Sequence, residues 1–214
     1  MKKYTVLVFV CLLFLIGIFF SLWPLFHSGF FVSDDGEWMV IRLSAFYQSF
    51  REGQFPVRFL GRLNQSYGYP VSNFLYPGFL YFGTLLHGIG ISFVNSVKFI
   101  FGFSVLGSSF FLYTILRKRF SFLSSSVGTF IFLVSPYLLY DIYTRGSVGE
   151  VLSFLPFFVS LWAIEYSLLW ALPLGIALLI ISHNSLAVLF FLVLVGFIVY
   201  KKKFYLLLHV FLGL

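Results

Sequence analysis

Seven apolar runs follow one another along the chain, at about 5–26, 74–91, 94–116, 122–140, 151–166, 168–182 and 185–200, with an eighth starting at 204. Charged residues make up only 10% of the chain and mean hydropathy is +1.00. A soluble domain is normally about a quarter charged, so this chain lacks the polar surface to cover a water-soluble globule. A bilayer removes that need and in return requires every backbone polar group to be satisfied within helices. The fold class is therefore all-α, a polytopic transmembrane helical bundle. Residues 1–214 read as one membrane domain.

The first run is too long for a secretory h-region, and no small-residue cleavage site follows it, so it reads as a retained anchor. The final run, Phe204 to Leu214, would reach only about 16 Å as a helix against a hydrocarbon core of about 30 Å. The expectation is an N-terminal fragment whose C-terminal part is missing. Cys11 lies inside an apolar run and offers neither a disulfide nor a cysteine metal site.

Three basic clusters punctuate the runs: Lys2-Lys3, Arg117-Lys118-Arg119 and Lys201-Lys202-Lys203. Basic clusters in short loops stay on the cytoplasmic side. All three fall there only if 74–91 does not cross. That segment contains Pro77, Gly78, Gly83, Gly88 and Gly90, a poor composition for one straight spanning helix. The expected topology is six complete crossings and the start of a seventh, in the plasma (inner) membrane, with a cytoplasmic N-terminus and a first external loop of about 27–93. Six of the seven acidic residues then face outside, together with Arg145 and His183, while Glu165 lies near the opposite face.

Ser33-Asp34-Asp35-Gly36 follows the first span. Asp34 with Glu37 matches a capping box for the next helix. Alternatively, Asp34 or Asp35 acts as a general base or binds a divalent metal ion. The helix is expected over 37–51, with Met39, Leu43, Phe46 and Phe50 on one face and Arg42, Gln48 and Ser49 elsewhere, lying on the membrane surface and ended by Gly53. Arg58 and Arg62 follow in the loop and could hold a lipid phosphate or bulk headgroups.

Arg145 and Glu150, in the connection Tyr140 to Glu150, could form a structural ion pair; alternatively Arg145 neutralises a substrate phosphate, with Glu150 orienting it. His183 and Asn184 sit between two runs and could cap a helix or contact a phosphate or metal. His27, His87 and His209 carry less weight. No phosphate-binding glycine loop, zinc motif or serine-nucleophile elbow occurs, and short basic clusters beside spans argue against nucleic-acid binding.

This order of features resembles the GT-C class of membrane glycosyltransferases. More narrowly, Asp34-Asp35-Gly36, Ser135-Pro136-Tyr137, the segment Tyr143 to Glu150 and Ser182-His183-Asn184 look like the bacterial membrane proteins labelled "6-pyruvoyl-tetrahydropterin synthase-related", which are similar to the YfhO-type family. The label does not imply pterin chemistry, since no soluble zinc-histidine site is present. The resemblance implies a polyprenyl-phosphate sugar donor and an undefined acceptor at the external face, with membrane lipids as partners. Asp34 or Asp35 would be the base or metal ligand, and Arg145 and His183 would lie near the phosphate. Such relatives are commonly longer than this chain. The alternatives are a lipid flippase or transporter, and a non-catalytic membrane scaffold. Ion-coupled transporters usually carry ionisable groups within spans, whereas most charges here lie near span ends.

Overall fold

The computed structural model describes residues 2–214, and its regular structure there is helical, with one isolated bridge, Leu60–Tyr69. The α-helices are α1 (Lys2–Leu22), α2 (Gly36–Arg51), α3 (Gly78–Gly88), α4 (Phe93–Arg117), α5 (Phe122–Leu133), α6 (Pro136–Tyr140), α7 (Val148–Tyr166), α8 (Ala171–Ser182), α9 (Asn184–Tyr200) and α10 (Leu206–Phe211). Ser92 and Ser121 start α4 and α5 by accepting hydrogen bonds from the Asn95 and Ser124 amides. Pro136 at the head of α6 interrupts the 122–140 run, because proline is suited to a first helical turn.

Four stretches are long and apolar enough to cross a membrane: Val8–Phe26, Phe93–Arg117, Phe122–Arg145 and Val148–Tyr166. The chain is an integral membrane protein built as a helical bundle. Six complete crossings were expected, but α8 and α9 are shorter, at 12 and 17 residues. They rise only about 18 and 26 Å. They nevertheless run between the ends of α7. A Cβ on Gly149, at the head of α7, would lie 2.6 Å from the Ser182 carbonyl oxygen, and Lys201 beyond α9 reaches Glu165 at the foot of α7.

The 74–91 segment holds α3, whose 11 residues rise about 16 Å. Phe82 packs on Phe99 and Phe103, and His87 stacks on Phe93, so α3 lies antiparallel along the first half of α4. The helix expected over 37–51 is α2. Part of its apolar face packs within the protein. Leu43 packs at Gly83 and Phe46 against Tyr81 of α3, while Phe50 of the same face stays exposed. Ser49, expected to point away, is buried and donates to the Phe59 carbonyl.

The largest helix interface joins α4 to α7. Small buried residues, Ser104 and Ser108 on α4 and Ser153 and Ser160 on α7, allow close helix approach.

One end of the bundle is basic. Glu165, expected near an interface, is buried there, with its carboxylate 2.6 Å from Lys201, 3.4 Å from Arg119 and 3.8 Å from Lys118. Lys203 donates to the Ile164 and Glu165 carbonyls. Two basic clusters thus converge on one carboxylate; the Lys2 and Lys3 side chains lie outside the described residues. Removing one member of a buried ion pair costs about 3–5 kcal/mol, reduced here because Lys118 and Arg119 are 39% and 38% exposed. Glu165→Ala is expected to destabilise the purified protein by about 2 kcal/mol in a denaturation titration.

Candidate functional site

The opposite end of the bundle gathers the polar residues of the first loop, the α6–α7 connection and the α8–α9 junction. After α6 the chain makes a π-helical turn, Asp141–Arg145, closed by Gly146 at φ 67°. An L side chain rarely adopts this conformation. A Cβ on Gly146 would also lie 2.5 Å from the Gly36 amide nitrogen. This close approach lets two backbone bonds form: the Asp34 amide donates to the Thr144 carbonyl (2.8 Å) and the Asp35 amide to the Arg145 carbonyl (2.9 Å). The acidic loop and the Arg145 turn, more than a hundred residues apart in sequence, are one substructure.

Asp34 does not cap α2. The N-cap is Asp35, without a side-chain bond; instead the Ser33 hydroxyl accepts from the Gly36 amide (3.2 Å) and donates to Glu37 (3.4 Å). The two aspartate side chains are exposed and, among the described residues, form no ion pair or hydrogen bond. Helix formation therefore leaves both carboxylates available.

Arg145 uses three of its five N–H donors on two carboxylates. One guanidinium nitrogen donates to Asp141 (2.6 Å) and to Glu150 (2.7 Å), and the other donates to Glu150 (2.6 Å). The Tyr137 hydroxyl also donates to Glu150, at 3.0 Å. Asp141 is fully buried and Glu150 nearly so. Of the two readings open for Arg145 and Glu150, the ion pair is formed, and it includes a third member. Asp141 and Tyr137 were not singled out as site residues; the i,i+4 spacing of Asp141 and Arg145 was the available signal.

His183 and Asn184 also have structural partners. The Leu186 amide donates to His183 Nδ1 (3.3 Å), which caps α9, and Asn184 donates to the Phe74 carbonyl (3.3 Å). His183 packs on the Tyr76 ring at 4.6 Å, with Nε2 3.7 Å from Glu150. Burial, assisted by the Arg145 charge, holds the His183 imidazole below its ordinary value despite Glu150. Burial and the charge of Glu150 push the Tyr76 phenol up to about 12, so it stays neutral near pH 7. Arg58 and Arg62 are exposed in the loop after α2, form no ion pair among the described residues and do not line the cleft beside the acidic loop.

Beside the acidic loop lies a cleft of about 700 Å³, lined by Asp35, Trp38, Arg42, Asn64, Gln65 and Tyr69. Arg42 was passed over because it lies off the apolar face of α2. Its guanidinium forms no ion pair among the described residues, its one polar contact being Met39 Sδ at 3.8 Å. The rim is a left-handed turn through Asn64, Gln65 and Ser66, with φ of 52°, 55° and 71°. Such a conformation costs about 1–2 kcal/mol per residue and tends to occur at functional sites. Among the described residues no three His, Cys, Asp or Glu side chains converge as a metal site; a cation at the acidic loop would rest on Asp34 and Asp35.

Comparison with protein-family models, curated proteins and solved structures gave no match.

Two outcomes follow from this geometry. Arg145→Ala leaves two buried carboxylates without their cation and is expected to cost about 3 kcal/mol in stability, a loss reduced in the Arg145→Ala, Asp141→Asn double variant. The lowered folded-state value of His183 means that protonation favours the unfolded chain. Its stabilising contribution is complete above the unfolded value of about 6.5 and is lost as pH falls below it. Melting at pH 7.5 and 5.5 should show a smaller pH-dependent loss for His183→Gln than for wild type.

Proposed function

We propose that the chain is a membrane glycosyltransferase, or the membrane part of one, that uses a polyprenyl-phosphate-linked sugar at the end of the bundle carrying Asp34 and Asp35. That end is taken as the external face, with the basic clusters and N-terminus in the cytoplasm, following the rule that basic loops stay inside. The observation that carries this reading is the cleft itself. It offers an uncommitted carboxylate (Asp35), an uncommitted guanidinium (Arg42), the exposed indole of Trp38 and the side-chain amides of Asn64 and Gln65. An aromatic face with planar hydrogen-bonding groups suits a sugar ring, and a guanidinium suits phosphate.

In this mechanism the acceptor hydroxyl attacks the anomeric carbon and gives its proton to Asp35, or to Asp34 beside it. The bond between that carbon and the phosphate oxygen breaks, and the electron pair leaves on the phosphate. Arg42 meets the developing charge. The resemblance assigns the phosphate to Arg145 and His183, but Arg145 already pairs with Asp141 and Glu150, and His183 Nδ1 caps α9. In the revised assignment they hold the acidic loop in place and Arg42 takes the electrostatic role. The scaffold alternative draws on the same engaged residues, since a brace and a cap are structural by themselves.

The test measures release of polyprenyl phosphate from a short-chain polyprenyl-phosphate hexose by the chain in native membranes. A general base contributes about 10²–10⁴-fold. Asp34→Asn with Asp35→Asn should therefore lower turnover at least a hundredfold, and Arg42→Gln should lower it while preserving the melting temperature. Turnover at the wild-type rate in the double variant would refute the assignment. Donor binding by wild type without release would favour the scaffold.

A further inference from the structure

Lys98 is buried in α4, at 7% exposure, and forms no ion pair among the described residues. Its ammonium carries three donors. One goes to the His27 carbonyl at 2.5 Å, leaving two without a protein acceptor. An unpaired buried cation is costly, and an ionisable residue inside a span marks a ligand or transport path by default.

The surroundings of Lys98 define what could meet it. It faces a cleft of about 740 Å³ between the end of α1, with its following 3-10 turn Trp23–Phe26, and α4. His27, Asn95 and Lys98 are its polar lining residues. Deeper along α4 the wall is apolar, formed by Phe103 and Leu106 with Leu22 and Leu25 opposite. Gly102 leaves this wall open: a Cβ there would meet only Leu25, at 3.9 Å. Lys98 lies five residues into α4, about 7–8 Å from its start. That is close to the thickness of one headgroup layer, so the ammonium sits near the boundary between headgroups and hydrocarbon.

We propose that this groove binds a bilayer lipid with an anionic phosphate headgroup, its phosphate at Lys98 and one acyl chain along α4 over Gly102. The free ammonium protons supply charge-assisted bonds to phosphate oxygens. The order of the lining, polar at the helix start and apolar below, matches the polarity of a lipid entering from the membrane. The site is separate from the acidic cleft and does not depend on the transfer reaction.

The experiment uses the purified, delipidated full chain in detergent. Binding of phosphatidylglycerol and phosphatidylcholine is followed by native mass spectrometry and by the shift in melting temperature, with inorganic phosphate as the headgroup-only probe. Phosphatidylglycerol should bind more tightly than phosphatidylcholine, and inorganic phosphate should give no shift. Lys98→Gln keeps a donor for the His27 carbonyl but removes the charge; it should weaken phosphatidylglycerol about tenfold, while Lys98→Arg retains binding. Gly102→Leu fills the groove without touching the charge and should weaken it comparably. Unchanged phosphatidylglycerol binding in Lys98→Gln or in Gly102→Leu would overturn the proposal. So would inorganic phosphate stabilising the protein as well as the lipid does.

Discussion

The guanidinium of Arg145, shared between Asp141 and Glu150, ties the π turn after α6 to the first turn of α7. Two carboxylates at 0% and 7% exposure are tolerable in a helical bundle only because this cation lies between them. The turn so held presents the Thr144 and Arg145 carbonyls outward, and the Asp34 and Asp35 amides take them. The acidic loop is attached by these amides and by Phe31 packed on Tyr143, not by its carboxylates. The Asp35 carboxylate is thereby left at the cleft that contains Arg42 and Trp38. Buried charge supplies rigidity, and the exposed charge stays unpaired among the described residues.

A second charge cluster does comparable work at the other end, where Glu165 gathers Lys118, Arg119 and Lys201. Between these ends the buried polar groups are mostly hydroxyls: those of Ser104 and Ser160 donate to carbonyls of their own helices, and those of Ser96 and Ser108 have no partner among the described residues. Lys98 is the exception, and its placement at the mouth of an apolar groove suits contact with the surrounding lipid.

The helices were legible in the sequence because long apolar runs and basic punctuation are local signals. The helix expected over 37–51 is observed as Gly36–Arg51 for that reason. Its surroundings were not legible. Amphipathic periodicity marks a face to be covered, and a membrane surface or α3 would satisfy it equally. The N-cap was misread because Ser33, Asp34 and Asp35 are adjacent candidates and the choice among them is fixed by a turn more than a hundred residues away. Arg42 lay on the polar side of α2, and only folding of the 63–69 loop over that side gives it a cleft. Lys98 was diluted within a 25-residue apolar helix whose average character conceals a single charge.

The central claim is that the acidic loop and the Arg145 turn share one membrane face, opposite the basic clusters. Single cysteines in a Cys11→Ser background test it, placed at the exposed positions Ser66 and Thr144 at one end and Ser121 and Lys202 at the other. Intact cells are treated with an impermeant thiol reagent. The account predicts labelling at Ser66 and Thr144, with Ser121 and Lys202 labelled only after permeabilisation. Labelling of Ser66 and Thr144 from opposite sides would contradict it, because the site would then be divided by the membrane.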